Sequence, residues 1–320
     1  MSDIIVENIS KTYTVRKKKE GRLFREKQKV HALENVNFRV NQGELVGYIG
    51  PNGAGKSTTV KILSGILTPD GGDVRIGGIC PWTERKKHVA RIGVVFGQRT
   101  QLWWDVPVRD SYDLLRDIYR IDAASWRKRL DELCGALEIG NLLDTPLRML
   151  SLGQRMRAEL GGSLLHRPEL LFLDEPTIGL DAVSKLKIRE FLKTENAQNG
   201  TTVLLTTHDM EDIAALCPRV MLLGRGRLLY DGSLAQMLVR YDTTHLITVR
   251  YSGYTELPEL PQTCETERDG DTIRITYPTD QVPTAMLLEI LRQAGEIREL
   301  TAQPQNVDHL VAAMYKEMNM

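Results

Sequence analysis

The chain has 320 residues, enough for two domains that each bury a core, and its 42 lysine and arginine residues balance 42 aspartate and glutamate residues. This zero net charge excludes a global electrostatic field that would draw the chain to nucleic acid or to an acidic substrate. The four cysteines are far apart and form no C-x-x-C pair, so we expect reduced thiols in a cytosolic protein.

The N-terminus lacks the basic and apolar pattern of a secretion signal. The sequence also contains no run of about 18 apolar residues, the length that a membrane-spanning helix needs. We therefore expect a soluble chain that does not itself span a membrane, while attachment to a membrane partner stays open.

The first distinctive segment along the chain is a basic insertion at residues 16–29, which surrounds the apolar pair Leu23-Phe24 with lysine and arginine. One interpretation is contact with anionic lipid headgroups, which is worth about 1 kcal/mol per basic residue near a membrane surface. The other is a solvated loop between two edge strands. The second interpretation is preferred here because runs of charge most often face solvent.

Residues 50–57 read G-P-N-G-A-G-K-S, the phosphate-binding pattern G-x-x-x-x-G-K-[ST]. The apolar residues 45–49 before it predict a strand, and residues 58–63 after it predict a helix, which is the context that the motif needs. Backbone N–H groups can surround phosphate oxygens, Lys56 adds a positive charge, and the Ser57 hydroxyl can bind Mg²⁺. The pattern predicts a nucleoside triphosphate site formed by Gly50, Pro51, Asn52, Gly53, Ala54, Gly55, Lys56, Ser57 and Thr58.

Apolar runs at residues 170–173 and 203–207 are typical of strands that are buried on both faces of a parallel sheet. Between them and the phosphate loop, helical spacing predicts a helical subdomain at about residues 99–160. We therefore predict an α/β domain over residues 1–232, a P-loop NTPase sheet with an inserted helical subdomain. The first apolar run ends at Asp174 and Glu175, which would hold Mg²⁺ and act on the attacking water, respectively.

Residues 233–320 form a second region with a different pattern. Ile247, Val249 and Tyr251 alternate with polar residues, as do the residues around Ile275, and these patterns predict two half-buried strands. Helical spacing then continues to Gly295, and a last helix is predicted from residue 306. We predict a small α+β accessory domain.

Residues 150–154 read L-S-L-G-Q shortly before the acidic strand. Here the sequence resembles the ATP-binding cassette (ABC) transporter ATPases, whose signature at this place is L-S-G-G-Q. The resemblance covers roughly the first 230 residues, and Leu152 replaces the first glycine of the signature. The landmarks occur in the family's order at Tyr13, Gln98, Ser151–Gln154, Asp174–Thr177, Asp181 and His208.

The resemblance implies roles for the residues of the predicted site. Tyr13 would stack on adenine, and Gln98 would contact the nucleotide and join Ser57 and Asp174 at the metal. The resemblance also implies that Glu175 and His208 are the catalytic residues.

Cassettes of this family work as head-to-tail pairs that hold two ATP molecules between them. Each site takes its phosphate loop from one chain and its signature from the other. The resemblance therefore implies that four residues contact the nucleotide of the partner chain, namely Ser151, Gly153, Gln154 and Asp181.

The resemblance implies an ATPase that uses ATP and Mg²⁺, pairs with a second ABC ATPase chain and drives a separate transmembrane permease, with no nucleic acid partner. We expect it in the cytoplasm, peripheral on the inner face of the cell membrane, and most similar to drug or antibiotic exporter subunits. An importer ATPase and a soluble ABC ATPase without a transport role remain alternatives. Trp103 and Trp104 would suit either the permease interface or the core of the helical subdomain.

Overall fold

The computed structural model describes residues 3–18, 25–97, 99–207, 209–241, 244–253, 256 and 259–304. Gln98, His208 and the last predicted helix, from residue 306, lie outside the described residues. The chain divides into two compact units, Met1–Ser233 and Leu234–Met320. Within the described ranges, no helix has the length and the apolar character needed to cross a bilayer.

The first unit alternates strands with helices. Its strands are β1 (Ile4–Lys18), β2 (Arg25–Val40), β3 (Leu45–Ile49), β4 (Gly71–Ile76), β5 (Ile92–Phe96), β6 (Leu170–Asp174), β7 (Thr202–Thr207), β8 (Arg219–Gly224) and β9 (Arg227–Ser233). Its helices are α1 (Lys56–Leu63), α2 (Arg85–Val89), α3 (Val108–Tyr119), α4 (Ala123–Leu137), α5 (Leu152–Leu164), α6 (Ala182–Asn199) and α7 (Met210–Leu216). Two short 3₁₀ turns, Gly140–Leu142 and Leu147–Met149, connect α4 to α5.

A six-stranded sheet in the order β5-β6-β7-β3-β8-β9 forms the centre of this unit. All its neighbours are parallel except β8 and β9. Strands β3, β6 and β7 are buried at every position, as their continuous apolar runs predict. Because parallel strands end at one edge of a sheet, the segments after β3, β5, β6 and β7 meet there.

A second, antiparallel sheet has the order β2-β1-β4. Strands β1 and β2 stay paired as far as Lys18 and Arg25, well past the last pair between β1 and β4 at Ser10 and Gly71. The prediction of a solvated loop over residues 16–29 is therefore wrong for residues 16–18 and 25–29. Cross-strand pairing extends through these residues, and only 19–24 lie outside the description.

The helical subdomain packs α3 and α4 on α5. Tyr112 of α3 is fully buried, and its hydroxyl donates to the carbonyl of Ala158 at 2.6 Å. Arg129 of α4 reaches α6, where its guanidinium lies 3.0 Å from the buried carboxylate of Glu195. Since both partners are buried, this ion pair ties the subdomain to the sheet domain, and loss of one partner would leave an unpaired charge.

The second unit contains α8 (Leu234–Tyr241), β10 (Thr244–Tyr251), β11 (Glu265–Asp269), β12 (Thr272–Pro278), α9 (Thr284–Ala294) and β13 (Ile297–Pro304). The four strands form an antiparallel sheet in the order β11-β12-β10-β13. The alternating residues of β10 and β12 form its core with Leu287 and Leu291 of α9. Strands β11 and β13 were not predicted. All five residues of β11 are exposed, so the strand has no apolar alternation to recognise.

Candidate functional site

The phosphate loop follows β3 and ends where α1 begins. Gly55, the residue before the helix, has φ 113°, and a β-carbon at this position would lie 2.4 Å from the carbonyl oxygen of Ala32. Only glycine fits this left-handed, crowded position. The first N–H groups of α1 have no partner within the helix, and with the helix dipole they favour an anion at this end.

Lys56 is held against the phosphate loop itself. Its ammonium donates to the carbonyl of Gly50 at 2.6 Å and to that of Pro51 at 3.2 Å. Burial lowers the pKa of Lys56, while the nearby carboxylates of Glu175 and Asp174 oppose that shift. These contacts hold the Lys56 side chain against the phosphate loop.

Asp174 stands at the end of β6, opposite the start of α1. Its Oδ1 atom accepts hydrogen bonds from the hydroxyl of Ser57 at 3.2 Å and from that of Thr206 at 2.5 Å. A carboxylate facing a hydroxyl offers the hard oxygen donors that Mg²⁺ prefers, so the pair fits this ion. Thr206 was not predicted as a site residue. The signal in the sequence was the polar pair Thr206-Thr207, which ends the apolar run of β7.

Glu175 has an unusual backbone conformation, with φ 57°. Its N–H group donates to the carbonyl of Thr206 at 2.9 Å, which holds the residue in the left-handed region. In this conformation the carboxylate of Glu175 points toward Lys56, with Oε1 3.9 Å from the ammonium.

These elements enclose a cleft of about 480 Å³, within the usual size range of ligand sites. It brings together predicted residues from the phosphate loop, from α1 and from the end of β6. These are Pro51, Asn52, Gly53, Gly55, Lys56, Ser57, Thr58, Asp174 and Glu175. The remaining lining residues were not predicted, namely Ala32, Lys61, Ile66, Phe96, Gly97, Arg99 and Ile178.

Among the described residues, three that were predicted to bind the nucleotide do not line the cleft, namely Tyr13, Gly50 and Ala54. Tyr13 lies half-buried on β1, opposite Val30 of β2, and is not among the residues that line the cleft. Ala32, two residues along β2 from Val30, does line it, so the β1–β2 pair borders the cleft. Gln98 and His208 are outside the described residues, although Gly97 and Arg99 on either side of Gln98 line the cleft.

The signature segment begins α5. The hydroxyl of Ser151 accepts from the N–H of Gln154, and the side chain of Gln154 accepts in turn from the N–H of Ser151 at 2.9 Å. This capping box fixes the first turn of the helix and leaves Ser151 and Leu152 exposed.

The signature segment lies against the start of α6 in the same chain. Asp181 caps α6 and accepts from the N–H and hydroxyl of Ser184, bonds that lower the pKa of its carboxyl. A β-carbon at Gly153 would lie 2.4 Å from the hydroxyl oxygen of Ser184, and one at Gly179 would lie 3.0 Å from Leu152. Gly153 of the signature is thus buried against the start of α6 beside Asp181, and none of the predicted trans residues lines the described cleft.

Trp103 and Trp104 are 45% and 46% exposed, so the interpretation that they pack in the subdomain core is wrong. The guanidinium of Arg155 lies 5.7 Å from the centre of the Trp104 ring. Both rings remain accessible beside the segment that follows Gln98, where aromatic side chains suit an interface.

Glu159 is a further residue that sequence reasoning missed. It is buried in α5 and accepts from the hydroxyl of Thr100 and from the N–H of Gln101. Burial raises the pKa of its carboxyl. The charged residue on a buried helix face links α5 to the segment just after Gln98.

Comparison with known proteins matches this architecture. The ABC transporter family model matches residues 33–178. The linearmycin resistance ATP-binding protein LnrL of Bacillus subtilis is 31% identical over 224 residues, 70% of this chain and 71% of that protein. The cobalt import ATP-binding protein CbiO of Rhodobacter capsulatus is 37% identical over 212 residues, 65% and 75% of the two chains.

A solved structure gives the same result. The dimeric ATP-binding cassette MJ0796, in a post-hydrolysis state bound to ADP and Pi, is 29% identical with a TM-score of 0.62. The similarity covers 72% of this chain and 98% of that one. The predicted P-loop NTPase fold is confirmed.

Proposed function

Because this chain belongs to the ABC transporter ATP-binding family, we propose that it hydrolyses ATP to drive transport through a separate transmembrane subunit. The observation that carries this proposal is the cleft in which Lys56 and Ser57 of the phosphate loop face Asp174 and Glu175 of β6. Cation, hydroxyl and carboxylates at this spacing are the groups that phosphoryl transfer to water requires.

Each group has a distinct task in this proposal. Lys56 binds the outer phosphates of ATP, which displace its ammonium from the loop carbonyls. Ser57 and Asp174 hold Mg²⁺, which neutralises phosphate charge when it is bound. Glu175 accepts a proton from the attacking water, and His208 is the second catalytic residue.

The chain acts as one half of a dimer in this proposal. Ser151 and Gly153 begin a helix whose N-terminus attracts anions, and they lie beside Asp181 outside the cleft of their own chain. A second chain would bring its bound ATP to this surface. The dimeric state of the related cassette supports this arrangement.

The exposed pair Trp103 and Trp104 is the surface that we assign to the transmembrane subunit. Aromatic side chains are enriched where a partner excludes water, and two adjacent ones are costly to leave exposed. The chain would then lie at the inner face of the cell membrane, as a peripheral subunit.

Export is the proposed direction of transport. The linearmycin resistance relative supports it, as does the small α+β second unit in place of a longer, strand-dominated tail. Import is the second candidate, and the cobalt import relative favours it. ATP-driven flux decides between them when the chain and its permease are placed in vesicles with the cassette outside. Export predicts accumulation of the substrate inside these vesicles.

The basic insertion at residues 16–29 is proposed to contact anionic lipid. The register pairs Arg16 with Lys27 and Lys18 with Arg25, and the pair between them, Lys17 and Glu26, is of opposite charge, so basic residues are in excess along these paired positions. Anionic headgroups would neutralise this excess charge. Binding to vesicles that contain phosphatidylserine, with weaker binding to neutral phosphatidylcholine vesicles, would support the contact, and equal binding would contradict it.

The function is tested by isolation of the tagged chain from solubilised membranes of its own cells. We expect a polytopic membrane protein to co-purify, and ATP hydrolysis by the complex to exceed that of the chain alone. Recovery of an active ATPase with ribosomes or DNA, and with no membrane protein, would instead support the alternative of a soluble ABC ATPase.

A further inference from the structure

Asp212, in the first turn of α7, has no solvent-exposed surface (0%). One carboxylate oxygen accepts a hydrogen bond from the hydroxyl of Thr177, and the other accepts from Nε of Arg189 at 2.5 Å. A buried carboxylate is costly unless it is paired and hydrogen-bonded. Asp212 therefore joins three segments, namely the loop after Glu175, α6, which follows that loop, and the start of α7.

The first of these segments is the loop between the proposed base and α6. Thr177 is buried two residues after Glu175, and its carbonyl accepts from the N–H of Leu180 at 3.2 Å. The loop then reaches Asp181, the cap of α6. The hydroxyl of Thr177 thus fixes the middle of the loop that connects Glu175 with Asp181.

The second and third segments are α6 and the start of α7. Lys185 and Arg189 lie one turn apart on α6, and they pair with Asp209 and Asp212, respectively. Asp209 caps α7, and its N–H donates to the hydroxyl of Thr207 at 2.9 Å. The residues on both sides of position 208 are held by these contacts.

From these contacts we infer that Asp212 is a positioning residue for ATP hydrolysis, and that it acts through Thr177. Both side chains are buried and hydrogen-bonded to each other, so neither is expected to touch ATP. Their hydrogen bond holds the loop after Glu175 against the first turn of α7. This inference rests on the proposed ATPase function and deepens it.

Two substitutions of Thr177 distinguish the effect of its hydroxyl from the effect of its side-chain shape. Thr177→Val keeps the volume but removes the donor, whereas Thr177→Ser keeps the donor. In the full chain, bound to its membrane partner if hydrolysis requires one, we expect Thr177→Val to lower kcat about tenfold, the effect of one hydrogen bond on the barrier. The KM for ATP should stay near the wild-type value, and Thr177→Ser should restore kcat.

Thr194→Val is the matched control. Thr194 lies on α6, and its hydroxyl donates to the carbonyl of Glu190 at 2.9 Å, away from the cleft. This variant loses a threonine hydrogen bond within α6 without touching the loop, so its kcat should equal that of the wild type. Thermal melts of all variants show whether the fraction of folded protein has changed.

Asp212→Asn supplies a second route to the same answer. In the Thr177→Val background it should cause little further loss of kcat, because the contact with Thr177 through which Asp212 acts is already absent. Wild-type kcat in Thr177→Val, failure of Thr177→Ser to restore it, or a loss of kcat that matches the loss of folded protein would overturn the inference. Absence of ATP binding and hydrolysis in the wild-type chain would overturn the proposed function itself.

Discussion

The ammonium of Lys56 lies 3.9 Å from the nearest carboxylate oxygen of Glu175. The two side chains come from segments that are more than a hundred residues apart in sequence, and they face each other across the same cleft. The cation proposed to bind the outer phosphates is thus held close to the base proposed to act on water. Substitution of each partner should produce a different defect.

Lys56→Ala should abolish ATP turnover. The variant removes the charge that the phosphate loop directs at the outer phosphates, together with the ion pair between Lys56 and Glu175. Phosphate release by the purified protein measures the effect. As a control, Lys86→Ala, at an exposed position of α2, should retain full activity. Near wild-type hydrolysis by a well-folded Lys56→Ala protein would contradict the assignment of the phosphate loop.

Glu175→Gln should lower hydrolysis by roughly 10²- to 10⁴-fold, because the amide keeps the shape but cannot accept a proton. ATP binding should persist, and the chain should accumulate as an ATP-bound dimer. Gel filtration with ATP and Mg²⁺ detects that dimer, and the exposed Glu190→Gln on α6 serves as the control. Elution as monomer only, with the membrane partner present, would count against the shared sites.

Tyr13→Ala should weaken nucleotide affinity by about 0.5–1.5 kcal/mol, the value of one stacking contact. The rate at saturating ATP should stay near that of the wild type, and Tyr13→Phe should keep wild-type affinity because the ring is preserved. Titration with a fluorescent ATP analogue measures both affinities. A large fall in the saturated rate of Tyr13→Ala would indicate a structural role for this half-buried side chain.

Two inactive variants should restore activity when mixed. Lys56→Ala disables the phosphate loop, and Ser151→Arg blocks the signature with bulk and charge, so each alone forms dimers without an intact site. In a mixed dimer, the intact loop of one chain faces the intact signature of the other. Hydrolysis should reappear in the mixture with the membrane partner. ATP crosslinked to Ser151 of its own chain would refute the trans assignment.

Stability should fall in mild acid because of His166. Burial lowers the pKa of this histidine to about 4, and its ring stacks on Tyr119 with centroids 3.8 Å apart. Since the unfolded ring titrates near pH 6.5, the unfolded chain binds the proton first. The contribution to stability is therefore complete above about pH 6.5 and is lost as the pH falls through about 4.

Thermal melts between pH 7.5 and pH 4.5 measure this loss. His166→Gln removes the titration but keeps an N–H donor for the carbonyl of Ile92, which the ring nitrogen now contacts at 2.9 Å. This variant should be less stable at pH 7.5 and should lose less stability on acidification. His31→Gln, at an exposed position of β2, should follow the wild-type curve. Parallel curves for His166→Gln and the wild type would contradict the prediction.

The central sheet and the residues at the centre of the cleft could be predicted because the sequence patterns that indicate them are local. Continuous apolar runs identify β6 and β7, and the ends of parallel strands must meet at one edge, which brings Asp174 close to Ser57. The contact between Thr177 and Asp212 could not be predicted. It joins residues 35 positions apart, and a threonine or an aspartate in a loop has many possible partners.

The pairing of β1 with β2 through the basic insertion was not predicted, for a related reason. Its basic residues resemble a solvated loop, and only the register shows that the strands stay paired as far as Lys18 and Arg25. Charge predicts exposure, but it does not distinguish an exposed loop from an exposed strand pair. Strand β11 shows the same limit, since all its residues are exposed.

The position of Gly179 beside Leu152 constrains how this part of the chain can change. Gly179 has φ 71°, a conformation that L side chains rarely adopt, and a β-carbon there would also lie 3.0 Å from the end of the Leu152 side chain. A larger residue at 179 would therefore be strained by its own backbone, whatever residue stands at 152. Across descendants of this chain, glycine should persist at position 179 irrespective of the size of residue 152.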